Sequence, residues 1–118
     1  MMNKTPLCKI RDIYRAITSF ESQIISDYGL SLNEGMLLCC LSEKGIVSST
    51  DIANNLGMTC SNTSKVIKSV ESKKLIQRSL NEDDKRSMLF SLTEEGKKKL
   101  AELMSCQFDL SAALKDLF

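Results

Sequence analysis

The chain has 118 residues, 42% hydrophobic and 26% charged, with a net charge of +1 and no histidine. That is the size and composition of one globular domain, too close to neutral to work by bulk charge alone. The lack of histidine excludes Ser-His and Cys-His nucleophile pairs, and five cysteines without CxxC spacing argue against a structural zinc site. No signal-peptide pattern opens the chain, and the longest uncharged apolar run, "GMLLCCLS", is far too short to span a bilayer. These features predict a reduced, cytoplasmic protein with no membrane segment, no cofactor and no catalytic constellation.

Charge is unevenly spread. Residues 1–56 carry five basic and six acidic side chains, residues 57–86 seven and four, and residues 87–118 four and five. The middle segment is therefore +3 between two flanks of −1 each. A local basic excess of this kind hints at nucleic-acid contact, although a solvated face has the same composition.

Taken in chain order, Pro6 precedes a segment in which Leu7, Ile10, Ile13, Ile17, Phe20, Ile24 and Tyr28 recur every three or four residues. This predicts a helix with one apolar face, stopped by Gly29. The stripe is long for a helix at the start of a small domain, so it is expected to pack against more than its own chain. Ser31 and Glu34 make a capping-box pattern that opens a second helix through about Glu43. Met36, Leu37, Leu38, Cys39, Cys40 and Leu41 run nearly all round that helix, which should be central and buried. Gly45 ends it. Ser48 and Asp51 form another cap-like pair before a short helix, "DIANNLG", ended by Gly57.

Thr59 is the expected N-cap of "CSNTSKVIKSVESKKLI". Here Val66, Ile67, Val70 and Leu75 are predicted to face inward, and Ser61, Asn62, Ser64, Lys65, Lys68 and Ser69 outward. Two helices joined by a short turn containing Gly make the helix-turn-helix signature. "LIQRSL" and "RSMLFSL" read as strands, with Met88, Phe90 and Leu92 on one face and the polar tip "NEDDK" closing a hairpin. Thr93 caps a last helix, with Glu94 and Glu95 at its positive end. Leu100, Leu103, Gln107, Leu110, Leu114 and Leu117 continue a helical stripe to the terminus. The predicted fold is mainly α with a small β-hairpin wing (α+β). It is a single winged helix-turn-helix domain over 1–118, with a core at 31–92, a wing at about 76–92 and flanking helices at 1–30 and 93–118.

Within that fold the second helix of the pair carries the candidate site. Its first turn displays Ser61, Asn62 and Ser64, short side chains able to bond base edges or phosphates, and Lys65 and Lys68 follow one turn on. In helix-turn-helix docking the first residues of the second helix meet base edges while the flanks touch the backbone.

The stretch "SSTDIANNLGMTCSNTSKVIKSVESKKLIQRSLNEDDKRSMLFSLTEEGKKKL" resembles the DNA-binding core of the MarR family of bacterial transcription regulators. The most specific part is "DKRSMLFSLTEEG", similar to the family's wing pattern of Asp-x-Arg, a hydrophobic strand and Leu-Thr-x-x-Gly. The likeness runs from about Leu32 to Leu100. It implies a homodimer held by its N- and C-terminal helices, binding a near-palindromic operator in double-stranded DNA, with a small ligand or an oxidant as a candidate releasing signal. It also implies that Arg86, next to Lys85, enters the minor groove and that Asp84 holds it. The resemblance offers Cys8, near the position of a peroxide-sensing cysteine in some members, as a redox candidate. Cys60, at the start of the recognition helix, is a second redox candidate on the separate ground that a helix N-terminus favours a thiolate. Cys39 and Cys40 are expected to be small buried hydrophobes.

The sequence departs from the family pattern twice. Lys74 stands where members usually have Gly, and the chain ends at Phe118 where members usually run on into a final helix. Dimerisation is then expected to rest on helices 7–28 and 93–118. The competing expectation is a winged helix that binds another protein instead of DNA.

Overall fold

The structure, a computed structural model, describes residues 5–84 and 88–105. These residues divide into two units, residues 5–31 and residues 32–105. The first unit is α1 (Pro6–Tyr28). Thr5 caps it, its hydroxyl accepting the Cys8 N–H at 3.3 Å, and Pro6 takes a first-turn position where no N–H is needed. Gly29, at φ +69°, ends the helix and returns its N–H to the Ile25 carbonyl. The predicted apolar stripe is only partly covered. Of its members Ile24 is buried, Ile13, Phe20 and Tyr28 are half-buried, and Leu7, Ile10 and Ile17 are exposed, Leu7 at 79%. Beside the stripe, Ala16 is buried while Tyr14 and Ile25 are exposed.

The second unit runs α2 (Leu32–Lys44), β1 (Val47–Ser48), α3 (Ser49–Leu56), α4 (Cys60–Ser72), β2 (Ile76–Leu80), β3 (Met88–Leu92) and α5 (Glu94–Ser105). As expected, α2 is central. Leu37, Leu38, Cys40 and Leu41 are buried on it, and it packs against α3, α4, α5 and β3. Each such aliphatic side chain withdrawn from water contributes about 1.5–3 kcal/mol. Ile52 and Ala53 from α3, Thr63, Ile67 and Val70 from α4, and Leu100 from α5 are buried with them. The core also takes Val47, Leu75, Ile76 and Phe90.

The hairpin is present, with Arg78 opposite Phe90 and Leu80 opposite Met88. The sheet also has a third strand that sequence patterning missed. β1 pairs antiparallel with β3, giving the order β1-β3-β2, with Val47 opposite Phe90. Two residues are too few to show alternation, and Ser48 is also the N-cap of α3, so the capping signal masks the strand.

The crossing of the chain at Lys74–Leu75 and Thr93–Gly96 fixes the wing. The Thr93 hydroxyl donates to the Lys74 carbonyl at 2.7 Å and accepts the Gly96 N–H at 3.0 Å, while the Thr93 N–H bonds the Leu75 carbonyl at 3.0 Å. A β-carbon on Gly96 would lie 2.0 Å from the Leu75 carbonyl oxygen. The Leu-Thr-x-x-Gly stretch is therefore a cap and a close backbone approach in one. Gly96→Ala should destabilise the fold by about 1–3 kcal/mol through overpacking, read as a lower urea midpoint.

Candidate nucleic-acid interface

The helix-turn-helix is set by caps at both ends of α3 and at the start of α4. Ser48 opens α3 by accepting the Asp51 N–H at 3.2 Å, as its spacing predicts. Gly57, at φ +66°, closes α3, and Met58 returns its N–H to the Ala53 carbonyl at 3.0 Å. Thr59 then caps α4, its hydroxyl accepting the Asn62 N–H at 3.1 Å. The Thr59 carbonyl takes both the N–H and the hydroxyl of Thr63, at 2.9 and 2.8 Å. Thr63 is 1% exposed, so this bond lets a hydroxyl enter the core.

With Thr63, Ile67 and Val70 buried, α4 presents Ser61, Asn62, Ser64, Lys65 and Lys68 to the outside, all exposed as predicted. Ser69 is not among them. It is half-buried and donates its hydroxyl to Glu34 at 2.9 Å. Val66 is also half-buried and not part of the core. Glu34 is 6% exposed on α2, and Lys73, just past the end of α4, donates to its two carboxylate oxygens at 2.9 and 2.7 Å. A carboxylate read as a capping group thus also ties α2 to the far end of the recognition helix.

Arg78 completes the base of the wing, a role that sequence reading missed. Its guanidinium forms a two-pronged pair with Glu71 of α4 and lies 5.6 Å from the centre of the Phe90 ring across the hairpin. The signal was present in the strand's alternation, which puts Arg78 on the same side as Phe90, but the partner on α4 is fixed only by tertiary packing. The hydrogen bonds from Arg78 hold the Glu71 carboxyl below the usual carboxylate range, against its partial burial and with help from the charges of Arg78 and Lys68. Beside this pair lies a cleft of about 360 Å³ lined by Ser48, Ser64, Lys68 and Arg78 over Ile67 and Phe90.

At the wing tip the Asn81 side chain accepts the Asp83 N–H at 3.1 Å, and Glu82, Asp83 and Asp84 are exposed. Lys85 and Arg86 lie outside the described residues, as do Cys106 and the stripe from Gln107 onward. Cys60 is the first residue of α4 and exposed, and Cys8 is half-buried on α1. Burial, assisted by Glu43, pushes the Cys39 thiol up, and burial is likewise the main cause for Cys40. Cys40 is indeed buried, and Cys39 is half-buried.

The profile of the MarR family matches residues 30–88, half of the chain. The chain belongs to the MarR family. It is 30% identical over 93 residues to YwaE of Bacillus subtilis, an uncharacterized HTH-type transcriptional regulator, a match that covers 79% of this chain and 54% of that protein. The chain spans about half the length of the curated relatives it matches. Among solved structures it is similar to the MepR–DNA complex of S. aureus, with a TM-score of 0.78 and 25% identity over 87% of this chain and 77% of that one. It is also similar to BpsR of Bordetella bronchiseptica, whose DNA binding is regulated by 6-hydroxynicotinic acid. That match has a TM-score of 0.72 and 25% identity over 80% of this chain and 72% of that one. This MarR family member thus has the winged helix-turn-helix fold of DNA-binding transcription regulators, and the family is not one of enzymes. Among the described residues, no helix is long and apolar enough to cross a membrane, and no cluster of side chains could hold a metal ion.

The Glu71–Arg78 pair has a definite pH signature. A carboxylate whose folded pKa is depressed stabilises the fold above its ordinary pKa, and that contribution disappears as pH falls through the folded value. Arg78 is 45% exposed, so solvent screening limits the contribution to about 0.2–1 kcal/mol. Glu71→Gln should therefore be less stable than wild type at pH 7. The gap should close on acidification below the carboxylate range, followed by urea denaturation across pH.

Proposed function

We propose that this MarR family member is a cytoplasmic, homodimeric transcription repressor that binds a near-palindromic operator. Recognition helix α4 enters the major groove, and the β2–β3 wing lies over the adjacent minor groove. The observation that carries this reading is the outward face of α4. Ser61, Asn62, Ser64, Lys65 and Lys68 are exposed together on a helix whose opposite side is locked into the core. The exposed apolar side chains of α1 support a dimer, because a helix with so much uncovered apolar surface is stabilised by a second copy. Two recognition helices would then enter successive major grooves about 34 Å apart. Repression follows from occupying promoter DNA.

Release by a small molecule needs an effector that binds the DNA-incompetent arrangement more tightly than the competent one. The cleft between α4 and the wing suits a small organic anion. It sets Lys68, beside the Glu71-paired Arg78, over the apolar floor of Ile67, Met88 and Phe90, and a molecule seated there would meet the lysine that approaches phosphate. The regulation of BpsR by 6-hydroxynicotinic acid makes an aromatic acid the first class to test.

Two substitutions test the DNA-binding reading by measuring the affinity of duplex DNA as salt is varied. Arg86→Ala should weaken operator binding by about 1–3 kcal/mol, and unchanged affinity would refute the assignment of the wing to the minor groove. Lys68→Ala should lower the slope of log K against log salt by about 1 while leaving sequence preference intact. Absence of any salt-sensitive binding to random duplex would instead favour the protein-interaction reading.

A further inference from the structure

We infer that Asn62 reads an adenine in the major groove and thereby sets one letter of each operator half-site. This rests on the DNA-binding reading above and deepens it. Around the first two turns of α4 the exposed polar side chains differ in what they can discriminate. Ser61 and Ser64 carry hydroxyls that donate or accept by rotation, so they fit any base edge. Lys65 and Lys68 carry donors only, suited to phosphate or to the acceptor edge of guanine. Asn62 alone on α4 has a fixed donor and acceptor side by side, which matches the N6 donor and N7 acceptor of adenine. The helix has no Gln to do the same and no Arg to clamp guanine.

The structure leaves that amide available and holds its backbone still. Asn62 is exposed, and its side chain makes no hydrogen bond to any described residue. Its main-chain N–H is held at 3.1 Å by the Thr59 hydroxyl, and the next residue, Thr63, is buried and bonded back to the Thr59 carbonyl. The base of the side chain is therefore fixed from two directions, so little backbone freedom is lost when it docks. Its position in the first turn is the part of a recognition helix that goes deepest into the groove.

The test uses the full chain, as wild type and as Asn62→Ala, in selection from a randomised duplex library. Affinities are then measured on the selected duplex with each base placed in turn at every position. The wild type should prefer adenine at one position per half-site by roughly 5- to 150-fold. Asn62→Ala should flatten that position and keep the other preferences. Its thermal melt should match wild type, because only an unbonded side chain is removed. Should Asn62→Ala lose all sequence-specific binding, Asn62→Gln decides. An adenine preference kept by the longer amide supports the inference, and its loss overturns it. If the wild type selects a motif that Asn62→Ala reads identically, the inference fails alone. If the wild type selects no sequence, the DNA-binding reading fails and takes this inference with it.

Discussion

The wing depends on one close approach, that of the Gly96 backbone to the Leu75 carbonyl. Around it the Thr93 hydroxyl holds the end of the α4–β2 connection with one bond and the first turn of α5 with another. Both ends of the hairpin are thus tied to one point, and the sheet register follows from there to the tip. A larger residue at Gly96 would separate the two strands at their base, where the lever is longest.

The same economy governs the acids around the recognition helix. Away from the wing tip, where Glu82, Asp83 and Asp84 are exposed, the carboxylates next to α4 are paired. Glu34 is covered by Ser69 and Lys73, and Glu71 is taken by Arg78. Each pair neutralises an acid and ties the end of α4 to a neighbour, α2 in one case and the wing in the other. The N-terminal end is fixed by Thr59 and Thr63. On the DNA-binding reading proposed above, a helix held at both ends and along its buried side would offer a surface already in its final shape, so little ordering entropy would be lost on binding.

Most of the fold was legible in the sequence because local signals set it. Caps at Ser48, Thr59 and Thr93, stops at Gly29 and Gly57, and alternation through Met88–Leu92 all act within a few residues. The outward face of α4 was legible for the same reason, since helical periodicity dictates which side chains share a side. What escaped was set by partners far away in the chain. Ser69 looks like an exposed residue until Glu34, 35 residues earlier, is brought against it. Arg78 looks like an ordinary strand cation until Glu71 and Phe90 bracket it. The two-residue β1 exists only because β3 lies beside it. The odd residue Lys74, noticed for standing where relatives have glycine, does take the conformation that glycine favours, with φ +63°.

That conformation has a mechanical consequence. Glycine at the hinge between reading helix and wing would open broad regions of backbone space, and the wing could tilt through a wide arc. At positive φ a residue with a β-carbon has only a small left-handed region open to it, at a cost of about 1–2 kcal/mol in local strain. Lys74 is held there by its N–H bond to the Glu71 carbonyl at 2.9 Å and by the Thr93 hydroxyl on its own carbonyl at 2.7 Å, which together restrain the tilt of the wing. Stiffness of that kind exchanges some fold stability for a fixed elevation of the wing above the helix. In the docking proposed above, the distance from major-groove contact to minor-groove contact would then be set largely by this connection.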